Sequence, residues 1–213
     1  MISLLNALLM VVLALNLFAL ATSRILTVIR TVAVQGALLG LIPLLLHHDL
    51  GLASWAAALA AVVLKGAVFP LILARTMRSV DIKREVEPLI GLMPSMLLGA
   101  LGTVFALVAT SRLPLAPEHA ATLLVPASIA TLLTGFIFIT TRLKAVSQVI
   151  GYLTLENGVF IFGMLLVEAM PLIVEMGVLL DLFVAIFVIG IIVNHISRTF
   201  SSLDTSRLVA LKD

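Results

Sequence analysis

Residues 150–163 read IGYLTLENGVFIFG. They lie in an apolar run long enough to be buried in lipid, yet Glu156 and Asn157 stand side by side near its centre. An ionised group at mid-membrane costs about 2.5–3.5 kcal/mol on insertion scales. Such a group persists when it pairs, lines water or moves protons. Whether the run is a membrane span, and what the carboxylate does inside it, decides how the whole chain is read.

Composition settles the first question. Of 213 residues, 62% are hydrophobic and 11% charged, with a mean hydropathy of +1.27. A water-soluble domain carries roughly 25% charged residues, so most of this surface faces something other than water and the class is integral membrane. The net charge of +2 comes without a basic patch, which excludes nucleic acid as a partner. There is no cysteine, hence no disulfide, cysteine-ligated iron–sulfur cluster or thiolate metal site. The histidines (His47, His48, His119, His195) are scattered without metal-ligand spacing, and the His47-His48 pair reads as a hydrated turn. No cofactor is expected in this chain, and any redox chemistry belongs to another polypeptide.

A bilayer core of about 30 Å takes about 20 apolar residues per helix. Seven segments qualify: 2–22, 25–46, 52–74, 89–111, 121–141, 146–168 and 170–195. The expected fold is therefore all-α and polytopic, with seven transmembrane helices. Pro88 and Pro171 read as helix starts, and His47-His48-Asp49-Leu50-Gly51 as a turn. Ala19-Leu20-Ala21 resembles a cleavage site, but no Lys or Arg precedes the first run and Arg24 follows it, so residues 2–22 read as a retained helix.

Loop charges orient the chain. With the N-terminus outside, the inward connections and tail hold Arg24, Arg75, Arg78, Lys83, Arg84, Arg142, Lys144, Arg198, Arg207 and Lys212, against Arg112 alone in the outward ones. The C-terminus is then cytoplasmic. Residues 75–88 (RTMRSVDIKREVEP) mix signs and read as a solvated loop or helix, or as a docking surface for a soluble partner. In the tail SSLDTSRLVALKD, Asp204 is placed to cap a short helix. Gly36 and Gly40 form a GxxxG spacing that permits close helix contact, within the chain or against a neighbour.

Charges inside the spans carry the chemistry. Glu156 lies about ten residues from the cytoplasmic side, or about 15 Å at 1.5 Å per residue. Lys144, Gln148, Tyr152 and Glu156 recur every four residues, a stripe of groups able to bind water that ends in a buried acid. That is what a proton half-channel requires; the structural alternative is a neutral carboxyl bonded to Asn157 or a facing helix. Asp181 reaches a similar depth from the opposite side, and His195 returns to nearly the same face at the cytoplasmic end, with apolar Ala185, Val188 and Ile192 between them. Lys65 is midway along the third span. Pro70 cannot donate the hydrogen bond that the Gly66 carbonyl would accept, so a freed carbonyl lies beside a buried amine. A lysine near Glu156 or Asp181 either exchanges protons with its partner or locks helices as a static ion pair. Arg30 can snorkel to the inner surface, and Thr31 with Gln35 reads as packing. No nucleophile–base pair, phosphate loop or metal cage appears, leaving proton relay through buried carboxylates as the chemistry the inventory supports.

The C-terminal part, 121–198, resembles the three-helix NuoK-type subunit of complex I and the C subunit of Mrp cation/proton antiporters. The resemblance rests on a basic turn (Arg142, Lys144), Ile150-Gly151, a carboxylate beside Asn157, and a second acid, Asp181, in the next helix. The seven-helix form, with LENGVFIFG, VEMGVLLDLFVAIFVIGI and SRLVALKD, resembles component E of hydrogenase-4 across essentially the whole chain. The organisation then becomes a four-helix segment (1–120), a NuoK-like three-helix segment (121–198) and a cytoplasmic tail (199–213). The resemblance implies a non-catalytic subunit of a complex-I-like membrane-bound [NiFe] hydrogenase, as in formate hydrogenlyase complexes, in the cell inner membrane. Its implied partners are antiporter-like membrane subunits and the hydrogenase-anchoring membrane subunit, with iron–sulfur and [NiFe] subunits in a cytoplasmic arm. Glu156 and Asp181 take the places of the two NuoK-type membrane acids, although the family often has its acid where this chain has Leu153. Two other functions fit the residues: a subunit of an Mrp-type antiporter without a redox partner, and a structural spacer whose acids are neutral packing groups.

Overall fold

The computed structural model describes residues 2–46, 59, 62–79, 89–114 and 121–165. The helices are α1 (Ile2–Ala21), α2 (Ile25–Leu46), a π turn (Leu64–Val68) running into α3 (Phe69–Ser79), α4 (Leu92–Thr110), α5 (Leu124–Thr141) and α6 (Ala145–Gly163). Among the described residues there is no β-strand. This is what lipid dictates, because a helix satisfies its backbone hydrogen bonds within one segment. Four of these helices, α1, α2, α4 and α5, are long and apolar enough to cross a membrane. The helical segments fall on the first six expected spans; the seventh expected span, 170–195, lies outside the described residues.

Some boundaries differ from expectation: the third helix runs on to Ser79 and the sixth ends at Gly163. The fourth span does not start at Pro88 but at Leu92, because Gly91 has φ 83° and ψ 164°, outside the helical region and in territory that favours glycine.

The chain runs back and forth, and long-range hydrogen bonds tie the ends of the bundle. At one end Asn6 Nδ2 donates to the Ala121 carbonyl (3.0 Å) and Asn6 Oδ1 accepts from the Leu123 N–H (2.9 Å). An amide in the first helix thus supplies the cap that α5, starting after Leu123, lacks locally. At the other end the Leu89 N–H donates to the Thr141 carbonyl (2.8 Å), joining the start of α4 to the finish of α5. The Asn6 end holds the apolar core: Leu5, Leu9 and Val12 of α1, Leu39 and Ile42 of α2, Leu124 and Ala127 of α5, with Ile161 and Met164.

Close approaches seat the remaining helices. The GxxxG pair of α2 meets the third span within this chain. A Cβ on Gly36 would lie 2.8 Å from Lys65 Cβ, and one on Gly40 would lie 2.6 Å from Val62 Cγ2. Since 36 faces 65 and 40 faces 62, the third span runs antiparallel to α2. In the α5–α6 hairpin a Cβ on Gly135 would lie 2.6 Å from the Leu155 backbone nitrogen. Helix α4 buries Ser95, Gly99, Ala106 and Thr110 against α1 and α5. It leaves Met93, Leu97, Leu101, Val104 and Phe105 exposed, an apolar outer face suited to acyl chains.

Gly135→Val is expected to lower the thermal stability of the full chain in detergent by about 1–3 kcal/mol, the typical cost of overpacking. Backbone atoms, not a flexible side-chain tip, meet the new methyl groups. An unchanged unfolding midpoint would show that α5 and α6 do not depend on this approach.

Candidate functional site

Lys65 and Glu156, which the sequence places on different helices, meet inside the bundle. Lys65 Nζ lies 2.8 Å from Glu156 Oε1, and each side chain is 5% exposed. Two local features carry Lys65 inward. Gly36 lets the backbone of the third span approach α2 closely at Lys65. The helix also widens there into the π turn, in which the Phe69 N–H bonds to the Leu64 carbonyl. Pro70 follows directly, and having no N–H it can donate to neither the Gly66 carbonyl (α register) nor the Lys65 carbonyl (π register). The freed carbonyl expected from the sequence is thus joined by a change of helical register. Phe160, one turn beyond Glu156, places its ring 4.6 Å from Lys65 Nζ, adding a cation–π contact.

The pair opens on a cleft of about 10 Å³, space for roughly one water molecule. Ile29, Val32, Phe69, Leu73, Ile150 and Leu153 form its apolar walls; Lys65, Glu156 and Asn157 are its polar part. Among the described residues Glu156 is the only acid. No other described carboxylate competes for Lys65.

From Gln148 to Glu156 the expected stripe on α6 passes from exposed to buried. Gln148 is exposed and its Nε2 donates to the Arg142 carbonyl (3.1 Å), so it braces the turn into α6. Lys144 and Tyr152 are half-buried and Glu156 is buried. Asp181 and His195 lie outside the described residues.

The structure also contains a second polar feature that residue spacing does not reveal. Asn157 Nδ2 donates to Gln35 Oε1 (3.4 Å), Gln35 Nε2 to Asn16 Oδ1 (2.8 Å), and Asn16 Nδ2 to Thr131 Oγ1 (2.8 Å). The Thr131 hydroxyl donates in turn to the Ala127 carbonyl (2.7 Å). Four helices contribute one side chain each, all at most 3% exposed. Gln35, which the spacing groups with Thr31 as packing, belongs to this ladder, while Thr31 donates to the Thr27 carbonyl of its own helix. The signal in the sequence is Asn16 itself, an amide in an apolar span.

Arg142 stands in the α5–α6 connection, as expected, but is only 1% exposed: its Nη2 donates to the Leu20 carbonyl (3.3 Å) near the end of α1, and its guanidinium lies 5.2 Å from the Phe138 ring. Desolvation by burial lowers its pKa to about 10, which leaves it a cation at neutral pH. A cation at the C-terminus of α1 is favourably placed against that helix's dipole.

Uncharacterized protein Rv0085 of Mycobacterium tuberculosis is 36% identical over 188 residues, 87% of this chain and 86% of that protein. The chain belongs to the family of that protein. Hydrogenase-4 component E of Escherichia coli and that of Shigella flexneri are each 29% identical over 160 residues, 74% of this chain and 72% of theirs, a distant homology. No protein-family model and no solved structure matches the chain. With its apolar helices, the chain is a multi-pass membrane protein.

Lys65→Met strands a buried carboxylate and is expected to destabilise the full chain in detergent by about 3–5 kcal/mol. Lys65→Met combined with Glu156→Gln removes both charges and should recover most of that loss in thermal unfolding. Additive losses would mean that the two groups are not energetically coupled.

Proposed function

We propose that this chain is a non-catalytic membrane subunit of a hydrogenase-type complex, and that Lys65 and Glu156 form the central element of its proton relay. The observation that carries the proposal is the 2.8 Å contact between two buried, oppositely charged groups beside a cleft with space for water. Distant homology to hydrogenase-4 component E supports membership in a multisubunit membrane complex. It also favours that setting over an Mrp-type antiporter without a redox partner. The implied neighbours are antiporter-like membrane subunits and the subunit that anchors the iron–sulfur and [NiFe] arm.

The chemistry follows from charge balance. While Glu156 is ionised, it offsets the ammonium of Lys65, and the pair is neutral as a unit in the bilayer interior. A proton delivered to Glu156 removes the counter-charge that this carboxylate gives Lys65, and Lys65 then passes a proton to the next acceptor of the relay. The π turn supplies the freedom to move, since its register is irregular and Pro70 cannot close it into a regular ladder. Tyr152 and Gln148 lead from the pair toward the α5–α6 turn. Asp181 and His195 are proposed as the continuation in the seventh span. A purely static ion pair is the competing role.

Glu156→Gln is expected to abolish proton uptake coupled to hydrogenase turnover in vesicles holding the assembled complex, while electron transfer persists. Undiminished uptake with normal assembly would leave the pair a structural lock.

The same reading places the bundle end bearing Arg24, Arg75, Arg142 and Lys144 in the cytoplasm. The absence of native cysteine makes this directly measurable. A cysteine replacing Ser111 should react with an impermeant maleimide on intact cells, and one replacing Ser23 only after permeabilisation. The reverse pattern would invert the topology.

A further inference from the structure

The ladder from Asn157 to Thr131 has a direction. Thr131 gives its single hydroxyl proton to the Ala127 carbonyl, so toward Asn16 it can only accept. Asn16 therefore presents its amide nitrogen to Thr131 and its oxygen to Gln35. Gln35 presents nitrogen to Asn16 and oxygen to Asn157, and Asn157 presents nitrogen to Gln35. Every donor points the same way, and the sequence of choices is anchored on a backbone carbonyl that cannot rotate. At the far end the Asn157 carboxamide has spent a donor on Gln35, and its oxygen is an acceptor. Asn157 is also the chain neighbour of Glu156 and lines the cleft with Lys65 and Glu156.

We infer that Asn16, Gln35 and Thr131, three buried residues on α1, α2 and α5, are positioning residues that hold the Asn157 amide in one orientation beside the Lys65–Glu156 pair. A carboxamide free to rotate would present either a donor or an acceptor to the cleft. The ladder removes that choice, so the field at the ion pair stays the same from one turnover to the next. Because each link bonds the next, a change at Thr131 reaches Asn157 through Asn16 and Gln35 without touching the charged groups. This inference rests on the relay proposed above, but it makes a claim about Glu156 that is measurable without proton transport.

Thr131→Val keeps the shape of the side chain and removes the hydroxyl, while Thr131→Ser keeps the hydroxyl and removes a methyl group. With the full chain in lipid vesicles and 13C-labelled glutamate, the Glu156 carboxyl band is identified by infrared difference as the band lost in Glu156→Gln. The expected result is a displaced Glu156 band in Thr131→Val and a native one in Thr131→Ser. In the assembled complex, coupled proton uptake should fall at least threefold in Thr131→Val and return in Thr131→Ser. A native band in correctly folded Thr131→Val overturns the inference, as does a band equally displaced in both variants. A displaced band with undiminished uptake supports the positioning role and counts against the relay. Loss of uptake in Glu156→Gln together with a native band in Thr131→Val leaves the relay standing and removes the ladder from it.

Discussion

Lipid cannot solvate a charge, and this one constraint organises the interior of the protein. Glu156 is placed near the middle of a helix whose neighbours are apolar, so the ionised carboxylate is tolerable only beside a counter-ion. Lys65 provides it at 2.8 Å from the third span. The surrounding details follow from bringing a long, charged side chain to that point. Gly36 lets two backbones approach closely, the π turn reshapes the backbone that carries the lysine, and Phe160 covers the ammonium with a ring face. A buried ion pair is weak evidence for stability, because desolvating both groups offsets much of their attraction.

The polar groups are divided by depth. At the Asn6 end the core is aliphatic, built from leucines, isoleucines and a valine on α1, α2, α5 and α6. The middle holds the ion pair and the amide ladder. The opposite end is closed by Arg142, which bonds to the last turn of α1 and takes its place in the interior as a cation. Among the described residues the buried charges, Arg142, Lys65 and Glu156, lie between that end and mid-depth.

Part of the site is legible in the sequence. Glu156 and Lys65 stand out because an ionisable residue inside an apolar run has few reasons to exist. The close packing at Gly36 and Gly40 follows from their spacing, though its target does not. Asn16 is marked only as an amide in an apolar span, and Thr131 carries no mark, since a hydroxyl can satisfy itself on its own helix. Only their alignment across four helices separates a network from four unrelated residues. Hydropathy places the fourth helix but begins it too early, because Pro88 is a familiar helix-start residue whereas the positive φ of Gly91 is a property of the folded backbone.

By itself the sequence determined that this protein is helical and lives in a membrane, since hydrophobic runs of bilayer length leave the backbone no other way to satisfy its hydrogen bonds. It also determined which charges required explanation. Tertiary structure alone decided their partners. Glu156 could have turned to Asn157 or to any facing helix; the antiparallel packing of the third span on α2, with α2 set beside α6, brought it to Lys65. Depth along a helix can be counted from sequence, but which helix lies opposite depends on how small residues let the bundle close.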